Sequence, residues 1–310
     1  MYDPTKPYKK EILNLIKQTW ETPYVSVKNG VVEKKLSCPE CHHIDGIGTK
    51  GIFHWEQRSF RNAVLDALAM NLNDLAFMRA TPYALIDHLF LPEDDKKAIL
   101  DIVRYLTEEC RKRNIAITGG ETAIHDNLEG LELSITMLGF VKRPKPNQFK
   151  EGDVLIGIKS NGLHSNGFTK IRKLFGREYR SDFILPTHIY LNTILALDKK
   201  FDIHGMMHIT GGAFTKLKDL LDNTDAMIRN DHELEPQEIF FELYRRGISD
   251  EEMYKTFNCG IGFILGVDRK DVDGIIKEIK NFKADVIGEI TLGEGKVKIQ
   301  SKFSRKQIEY

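Results

Sequence analysis

The chain has 310 residues, of which 41% are apolar, and its 45 lysines and arginines balance its 45 aspartates and glutamates. This composition predicts a globular protein with room for two hydrophobic cores and excludes a disordered chain. The balanced charge gives neither a basic patch for nucleic acid nor a polybasic segment for a membrane surface, so we expect small molecules or a second copy of the chain as partners.

The N-terminal stretch contains no long apolar run, because lysine or another polar residue interrupts each one. It therefore has neither a signal-peptide core nor a spanning helix, which predicts a cytoplasmic location. Of the four cysteines, Cys110 and Cys259 stand alone, and Cys38 and Cys41 do not make a disulfide framework for so long a chain. We expect reduced thiols.

The first half of the chain is predicted to contain two helices and two strands, at 59–72, 92–114, 115–118 and 131–141. Helical spacing of apolar residues defines the first helix, which is expected to end at Asn73-Asp74. The second helix is expected to carry acids in its first turn and bases in its last. Residues 142–152 collect prolines, lysines and a glycine without periodicity, which predicts a linker and a domain boundary near residue 147.

The second half continues the alternation of strands and helices. Its predicted strands are 153–158, 261–267 and 284–290, and its predicted helices are 213–221, 236–247, 249–257 and 268–282. Ser249 and Glu252 form a capping-box pattern at the start of one helix. The mixture in both halves predicts an α/β (α+β) fold in two domains, residues 1–147 and 148–310.

The stretch "DGIGTK", Asp45 to Lys50, combines a carboxylate, two glycines, a hydroxyl and an ammonium group. Glycines let backbone amides approach an anion, lysine supplies a charge to phosphate, and a carboxylate can hold the magnesium that accompanies a nucleotide. The stretch lacks Walker A spacing. Taken alone, a glycine-containing turn explains it better than a phosphate site does.

Two further acids change this interpretation. Asp74, which follows Asn73, is predicted at a helix end, and Glu121 is predicted directly after a strand. Any one of Asp45, Asp74 and Glu121 is best explained as a solvated loop residue. Three acids at the ends of separate elements, however, are the usual arrangement around a hard cation, so together they predict a metal site.

A Thr-Gly-Gly sequence occurs twice, as "TGGET" at Thr118–Thr122 and as "TGGAF" from Thr210. The acidic copy is predicted to hold metal. The acid-free copy, with Gly211 and Gly212, is predicted to lead into a helix whose N-terminal amides and dipole face a phosphate. The alternative is that both turns only end buried strands.

The stretch "NGLHSNG" presents His164 and Ser165 between two glycines, an arrangement that suits a polar ligand held against backbone amides. A histidine in such a turn is equally well explained as a cap on a neighbouring carbonyl.

The stretch "CPECHH" has the ligand types of a zinc site in Cys38, Cys41, His42 and His43. Structural zinc sites normally draw four ligands from two separated pairs, and the sequence has no second pair. We expect an unligated cysteine pair on a strand, since zinc would need ligands from a dimer partner.

In chain order, "DGIGTK", "NDL", "GGETA", "GLHSNGF", "PTHIYLN", "HITGGAF" and "EEMYKTFNCGIGF" resemble the motifs of phosphoribosylformylglycinamidine cyclo-ligases, also called aminoimidazole ribonucleotide synthetases. The resemblance covers roughly Ile44 to Ile290. "DGIGTK" and "GGET" also suit a wider superfamily that includes formylglycinamidine ribonucleotide synthetase, selenophosphate synthetase, thiamine monophosphate kinase and a hydrogenase maturation protein. "GLHSNGF", "PTHIYLN" and "MYKTFNCGIG" are more specific to the cyclo-ligase.

The resemblance implies ATP-dependent closure of formylglycinamidine ribonucleotide to aminoimidazole ribonucleotide in purine synthesis, with release of ADP and phosphate. It also implies an N-terminal domain that binds ATP and metal and pairs its sheet with that of a second copy in a homodimer. The C-terminal domain would be a mixed α/β domain that closes the active-site cleft.

The motifs and the resemblance together predict ATP and Mg²⁺ as cofactors, Lys50 and His164 as catalytic residues, and Asp45, Asp74 and Glu121 as metal ligands. The residues expected to bind ATP or phosphate are Asp45, Gly46, Gly48, Thr49, Asn73, Asp74, Gly119, Gly120, Glu121, Thr122, Ser165, Asn166, Thr210, Gly211, Gly212 and Asn258.

One departure from the family keeps two alternatives open. Members carry a glycine-rich segment before the Asp-Gly turn, whereas here residues 23–44 contain a single glycine. The chain could therefore be a superfamily kinase or synthetase that phosphorylates another small molecule, or a catalytically silent nucleotide-binding paralogue. The C-terminal motifs argue against the first alternative, and the three acids argue against the second.

Overall fold

The computed structural model describes residues 8–310 of the chain. Residues 1–7, the start of the predicted first domain, lie outside the described residues. The chain divides into two units: Met1–Arg143 with Arg177–Pro186, and Pro144–Gly176 with Thr187–Tyr310. The predicted linker at 142–152 contains the first of these divisions, whereas the return of residues 177–186 to the first unit has no counterpart in the sequence prediction.

Within its described residues, 8–143 and 177–186, the first unit combines a four-stranded sheet, a two-stranded hairpin and four α-helices. Its helices are α1 (Lys9–Ile16), α2 (Lys50–Glu56), α3 (Phe60–Phe77) and α4 (Lys96–Arg113). Its strands are β1 (Val25–Lys28), β2 (Val31–Lys34), β3 (Glu40–Gly46), β4 (Thr81–Leu91), β5 (Ala116–Ile124) and β6 (Glu132–Phe140). The hairpin is β1–β2, and the order in the larger sheet is β3-β6-β4-β5.

The two faces of the larger sheet differ in burial. Leu133, Ile135 and Met137 of β6 are fully buried on the face that α3 contacts. On the other face, Ile44 of β3 is 67% exposed and Ile86 of β4 is 45% exposed. Successive residues of a strand point to opposite faces, so the sheet has a covered face under α3 and a second, open face. The β1–β2 hairpin buries one end of the open face, at Ala84, Ala116 and Phe140, whereas Ile44 and Ile86 stay exposed.

The helix predicted at 59–72 continues to Phe77. Asn73 and Asp74 therefore lie inside α3, not at its end, and this prediction was wrong. The reason is packing, because Leu75 and Ala76 are fully buried and extend the apolar side of the helix beyond the two polar residues.

The helix predicted at 92–114 begins only at Lys96, so the expected acids are absent from its first turn. Asp95 instead caps the helix, and its side chain accepts a hydrogen bond from the Ala98 amide at 2.9 Å. The predicted basic last turn, with Arg111, Lys112 and Arg113, is confirmed.

The segment "TGGET" is not a turn after a strand, as the sequence suggested, but part of β5 itself. β5 pairs in parallel with β4, and the register shifts between Leu85 and Ile86 so that Thr118 forms a bulge. The Thr118 hydroxyl donates to the Leu85 carbonyl at 3.1 Å. The long neighbouring strand thus keeps both glycines extended, and tertiary pairing prevails over their turn preference.

The second unit is built on a seven-stranded sheet in the order β13-β12-β9-β11-β7-β10-β8. Its strands are β7 (Val154–Lys159), β8 (Ile203–His208), β9 (Thr224–Ile228), β10 (Ile261–Val267), β11 (Ala284–Leu292), β12 (Val297–Gln300) and β13 (Gln307–Glu309). Its α-helices are α5 (Phe168–Phe175), α6 (Leu191–Lys200), α7 (Glu238–Arg245), α8 (Asp250–Thr256) and α9 (Val272–Glu278). The helix predicted at 213–221 is a 3₁₀ helix at Ala213–Leu220.

Mixed α/β structure in both units confirms the predicted fold class. Among residues 8–310, no helix is both long and apolar enough to span a bilayer.

Candidate functional site

In the first unit, two of the predicted metal ligands lie near one hydrogen-bond network on the covered face. His43 Nε2 is 3.1 Å from Asp74 Oδ2, and His43 Nδ1 is 3.0 Å from Asn71 Oδ1. Asn71 Nδ2 in turn donates to the backbone carbonyl of Asp45 at 3.1 Å. Burial lowers the pKa of His43, but the hydrogen bond and charge of Asp74 outweigh burial and raise it above its ordinary value. This network fixes α3 against the end of β3.

Glu121 does not join Asp45 and Asp74. Asp45 is on β3 and Glu121 on β5, the two outer strands of the sheet, so three strand spacings, about 14 Å, separate the strands. Glu121 pairs with His88 on the open face, whereas Asp74 contacts the covered face through His43. Within residues 8–310, the three carboxylates form no cluster with ligand atoms inside 4.8 Å. Within one chain, the structure therefore does not bring the three acids together, and their role as metal ligands stays a prediction.

The segment "DGIGTK" spans the end of β3 and the start of α2. Gly48 has a φ of +52°, which favours glycine, and a Cβ at Gly46 would lie 2.9 Å from the Leu133 carbonyl oxygen. The Asp45 carboxylate accepts from the Gly46 amide at 2.7 Å. Gly48 and Thr49 lie on the connection between β3 and α2. Because a Cβ at Gly46 would approach the Leu133 carbonyl so closely, a glycine at position 46 is needed for close packing on β6.

Lys50 is fully buried, and its ammonium group is paired inside the first unit. Nζ lies 2.7 Å from Asp66 Oδ2 and donates to the Leu185 carbonyl at 2.7 Å. His54 Nε2 also contacts Asp66, at 2.8 Å. Burial lowers the pKa of Lys50; burial would raise that of Asp66, but Lys50 and His54 hold it well below its usual range. Direct contact of Lys50 with phosphate would require this ion pair to open, and the catalytic role of Lys50 stays a prediction.

The glycines of "GGET" face different surroundings. A Cβ at Gly119 would meet only the Ile86 side chain, at 3.9 Å. Gly120 pairs with the buried Asp87 of β4. The Thr122 side chain is 4% exposed, and its hydroxyl has no hydrogen-bond partner among residues 8–310.

In the second unit, three of the motif segments meet. The Thr210 hydroxyl donates to Asn166 Oδ1 at 3.2 Å, and the Ser165 and Thr187 hydroxyls are 3.1 Å apart. The Asn166 side chain is 9% exposed, and its Nδ2 has no hydrogen-bond partner within the described part of the chain. A buried amide donor in this state is costly and suits an acceptor from a ligand.

His164 belongs to a cluster of aromatic rings in the same unit. It is 1% exposed with a φ of +59°, and its ring centroid lies 6.4 Å from that of His188, 6.4 Å from that of His208 and 6.2 Å from that of Tyr190. A Cβ at Gly262 would lie 2.0 Å from the Tyr190 hydroxyl oxygen. Burial lowers the pKa of His188 and raises that of Tyr190.

Sequence reasoning did not select His188, Tyr190 or His208 as site residues. The signal was available, because they lie in "PTHIYLN" and "HITGGAF", two of the segments that carry the resemblance.

The second Thr-Gly-Gly segment is a turn, as predicted. Gly212 has a φ of +80° and Ala213 a φ of +42°. The Gly211 amide donates to the Thr210 hydroxyl at 2.6 Å, and the Ala213 amide to the Thr210 carbonyl at 2.5 Å. Two amides of the turn are therefore bonded within it, and the helix that follows is a 3₁₀ helix, while the predicted contact with phosphate stays a prediction.

Asn258 connects two loops of the second unit. Its Nδ2 donates to the Gly162 carbonyl at 2.7 Å, and its Oδ1 accepts from the Ser160 hydroxyl at 2.7 Å and the Gly260 amide at 2.9 Å. These bonds use the side chain to hold backbone, and the prediction that Asn258 binds the cofactor stays a prediction.

The cysteine–histidine segment does not form a zinc site within one chain. Cys41, His42 and His43 lie on β3, where alternation places His42 on the opposite face to the other two, and Cys38 precedes the strand. In the described residues these side chains form no metal-binding cluster, and all four cysteines are free.

Family models and relatives match both units. Residues 30–141 match the model for the N-terminal domain of AIR synthase related proteins, and residues 150–300 match the model for the C-terminal domain. A phosphoribosylformylglycinamidine cyclo-ligase of Methanococcus vannielii is 35% identical over 285 residues, covering 85% of this chain and 80% of the relative. One from Methanocaldococcus jannaschii is 37% identical over 269 residues, covering 79% and 76%.

Solved structures share the fold at low identity. Hydrogenase maturation protein HypE in complex with ATP superposes with a TM-score of 0.70 at 16% identity, covering 99% of this chain and 95% of that chain. Thiamine-monophosphate kinase from Stenotrophomonas maltophilia superposes with a TM-score of 0.68 at 19% identity, covering 97% and 98%.

Proposed function

Because this chain belongs to the phosphoribosylformylglycinamidine cyclo-ligase family, we propose that it is an ATP-dependent ligase that closes the imidazole ring of aminoimidazole ribonucleotide in purine synthesis. Its substrates are ATP and formylglycinamidine ribonucleotide, and its other products are ADP and phosphate. Both substrates are charged metabolites that do not cross membranes freely, so we propose the cytoplasm as its location.

The reaction needs positioned reactants and charge neutralisation more than a protein nucleophile. The formyl amide oxygen bonds to the γ-phosphorus as the bond from that phosphorus to the bridging oxygen of ADP breaks. The amidine nitrogen of the substrate then bonds to the activated carbon. The carbon–oxygen bond breaks, phosphate leaves with that oxygen, and the nitrogen loses its proton.

One observation in the second unit supports binding of the substrate there: the unpartnered Asn166 amide lies beside Thr210, where two cyclo-ligase motifs meet. We propose that Asn166 Nδ2 donates to a ligand phosphate or carbonyl oxygen. Ser165 and the turn Thr210–Gly212 border this position. Asn258 would hold the loop and touch no ligand, which preserves the position of Gly162.

We propose His164 as a catalytic residue in the adjoining ring cluster, with His188 near it. Burial lowers the pKa of His188, so this imidazole is neutral at physiological pH and can accept a proton. Tyr190, whose hydroxyl donates to the Lys159 carbonyl at 2.9 Å, fixes one side of the cluster.

In the first unit, the carboxylates of Asp45 and Asp74 suit the oxygen ligands that Mg²⁺ takes, and we propose that they hold the magnesium of MgATP. Magnesium when bound neutralises charge on the phosphates. Gly46, Gly48, Thr49 and Asn73 lie on the same stretches and are proposed to border the nucleotide. Lys50 is proposed as a positioning residue that acts through Asp66 and the Leu185 carbonyl.

We propose that the open face of the first unit's sheet is the homodimer contact. It carries Ile44 and Ile86, which are 67% and 45% exposed, and an exposed apolar sheet face is normally covered. Gly119 and Glu121 would then lie beside a second copy, whereas Gly120 and Thr122, whose hydroxyl has no partner within residues 8–310, alternate to the covered face of the same strand.

The experiment is an ADP-release assay with formylglycinamidine ribonucleotide, compared with thiamine monophosphate and selenide. We expect turnover only with the ribonucleotide. Asn166→Ala should raise the Michaelis constant for it by about 10-fold, the value of one hydrogen bond to a charged group. Ser181→Ala, on the exposed surface of the segment 177–186 of the first unit, is the control and should leave it unchanged. Turnover with thiamine monophosphate or selenide alone would reject the proposed function.

A further inference from the structure

Three side chains of metal-ligand type meet at one edge of the second unit's sheet. Asp153 directly precedes β7, His204 is on β8, and Asp268 directly follows β10. β10 lies between the other two strands and is antiparallel to both, so the start of β7, the start of β8 and the end of β10 share an edge. One ligand atom from each residue lies within 4.8 Å of the others. The motif loops described above lie at the opposite ends of the same strands.

The cluster is enclosed on one side and accessible on the other. Asp153 is 1% exposed and His204 5% exposed, and His204 Nδ1 is 2.7 Å from Asp153 Oδ1. The second Asp153 oxygen accepts from the Lys150 amide at 2.9 Å, which fixes the carboxylate. The Asp268 side chain is 46% exposed and leaves a route for an ion.

We propose that Asp153, His204 and Asp268 bind one divalent transition-metal ion of the zinc type, at a site independent of the proposed MgATP site. One imidazole and two carboxylates are ligands that zinc accepts, whereas magnesium prefers an all-oxygen octahedral shell. Water or Asp202, whose Oδ2 is 3.4 Å from His204 Nε2, completes the shell. The ion would take the place of the hydrogen bond between His204 Nδ1 and Asp153 Oδ1.

Lys270 would compete with the metal ion for the Asp268 carboxylate. Lys270 Nζ lies 3.0 Å from Asp268 Oδ2, and Lys145 is paired with Asp202. Removing the Lys270 charge should therefore tighten metal binding by about 2–5-fold, the value of an exposed ion pair. The bound ion would link three strand ends next to the segment 142–152 and stabilise the second unit.

The test uses the full-length chain with Cys38→Ser and Cys41→Ser, because these half-buried thiols are free and could bind zinc on their own. After removal of metal with a chelator, titration calorimetry with Zn²⁺ and visible absorption with Co²⁺ measure binding. We expect one ion per chain and a rise in melting temperature of roughly 5 °C at saturating zinc, with no rise for magnesium alone.

Variants locate the ion. Asp268→Asn should weaken zinc binding by at least about 100-fold, since even outer-shell partners are worth 10–100-fold, and Lys270→Met should strengthen it. Asp273→Asn, an exposed acid on α9, is the matched control and should change nothing. Unchanged zinc affinity in Asp268→Asn, or no saturable binding in the parent protein, would overturn the proposal. Because Asp268 is half-exposed, its variant is expected to fold even if His204→Asn does not.

Discussion

The two faces of the first unit's sheet handle polar and apolar groups in opposite ways. On the covered side, α3 supplies partners for buried charged groups: Asp74 contacts His43 of β3, and Asp66 pairs with Lys50 of α2. On the open face, the strands present an isoleucine that is 67% exposed. The difference teaches that in this unit buried charges lie where the fold supplies counter-charges, and exposed apolar side chains lie on the face that is proposed to contact a second copy.

The largest expected effect comes from disrupting the buried ion pair between Lys50 and Asp66. Asp66→Asn leaves the Lys50 ammonium buried without its counter-charge, which should lower the free energy of unfolding by about 3–5 kcal/mol. Urea unfolding of the purified chain measures this. The double variant Lys50→Met with Asp66→Leu removes both charges and should recover most of the loss. A cost below about 1 kcal/mol for Asp66→Asn would mean that the ion pair contributes little.

The second prediction concerns the carboxylate of Asp74, which contacts His43 on the covered face. Asp74→Asn should lower ADP release by about 100-fold, because a positioned charge at the phosphates is lost. Asp74 is only 7% exposed and bonds to His43, so a stability cost of about 1 kcal/mol is also expected. Asp94→Asn, an exposed acid before α4, is the control. ADP release at the parent rate would remove Asp74 from the proposed site.

The third prediction tests whether the open face of the sheet is the contact between two copies of the chain. Ile86→Lys should weaken self-association by about 1.5–3 kcal/mol, the value of one buried isoleucine, while leaving monomer stability nearly unchanged. Sedimentation at micromolar protein separates the species. Leu292→Lys, 71% exposed on β11, is the control. A parent protein that is monomeric and active, or a dimer that Ile86→Lys does not affect, would place the contact elsewhere.

The smallest effect is a pH dependence on the covered face. The pKa of His43 lies above its ordinary value of 6.5, so the folded state holds the proton more tightly than the unfolded chain. The stabilisation is therefore present below about pH 6.5 and is lost as the pH rises through the folded pKa. Urea unfolding from about pH 5.5 to 8 should show this decline, and Asp74→Asn should flatten it. An equal slope in both proteins would assign the dependence to another group.

Local patterns predicted a large part of the fold. The strand at 154–159 and the helix at 238–245 follow from residue type and spacing, and Ser249 accepts from the Glu252 amide at 3.3 Å as the capping pattern implies. The 11-residue strand β4 was missed, because its apolar and polar residues alternate weakly and it includes Pro82. Its absence from the prediction led directly to the misassignment of "TGGET", whose extended form depends on pairing with β4.

The sequence predicted which segments form the candidate site, but it did not predict how their side chains lie relative to one another. The motifs selected Asn166, Thr210 and Ser165, which do meet. The three acids were grouped because each seemed to end an element, and only the strand order separates Glu121 from Asp45. The buried Lys50–Asp66 ion pair was missed for a similar reason, since Asp66 lies on a predicted helix face that carries no sign of a buried cation.

The return of residues 177–186 to the first unit makes that unit discontinuous along the chain. The fully buried Phe183 packs edge-on against Phe53 at 5.2 Å between ring centroids, and Asn62 donates to the Ile184 carbonyl at 2.9 Å. During synthesis on the ribosome, the first unit therefore cannot complete its core until residue 186 has emerged, when part of the second unit has already been made. A fragment that stops at residue 143 would expose Phe53 and leave Lys50 without its carbonyl acceptor, so such a fragment is expected to depend on chaperones or to aggregate.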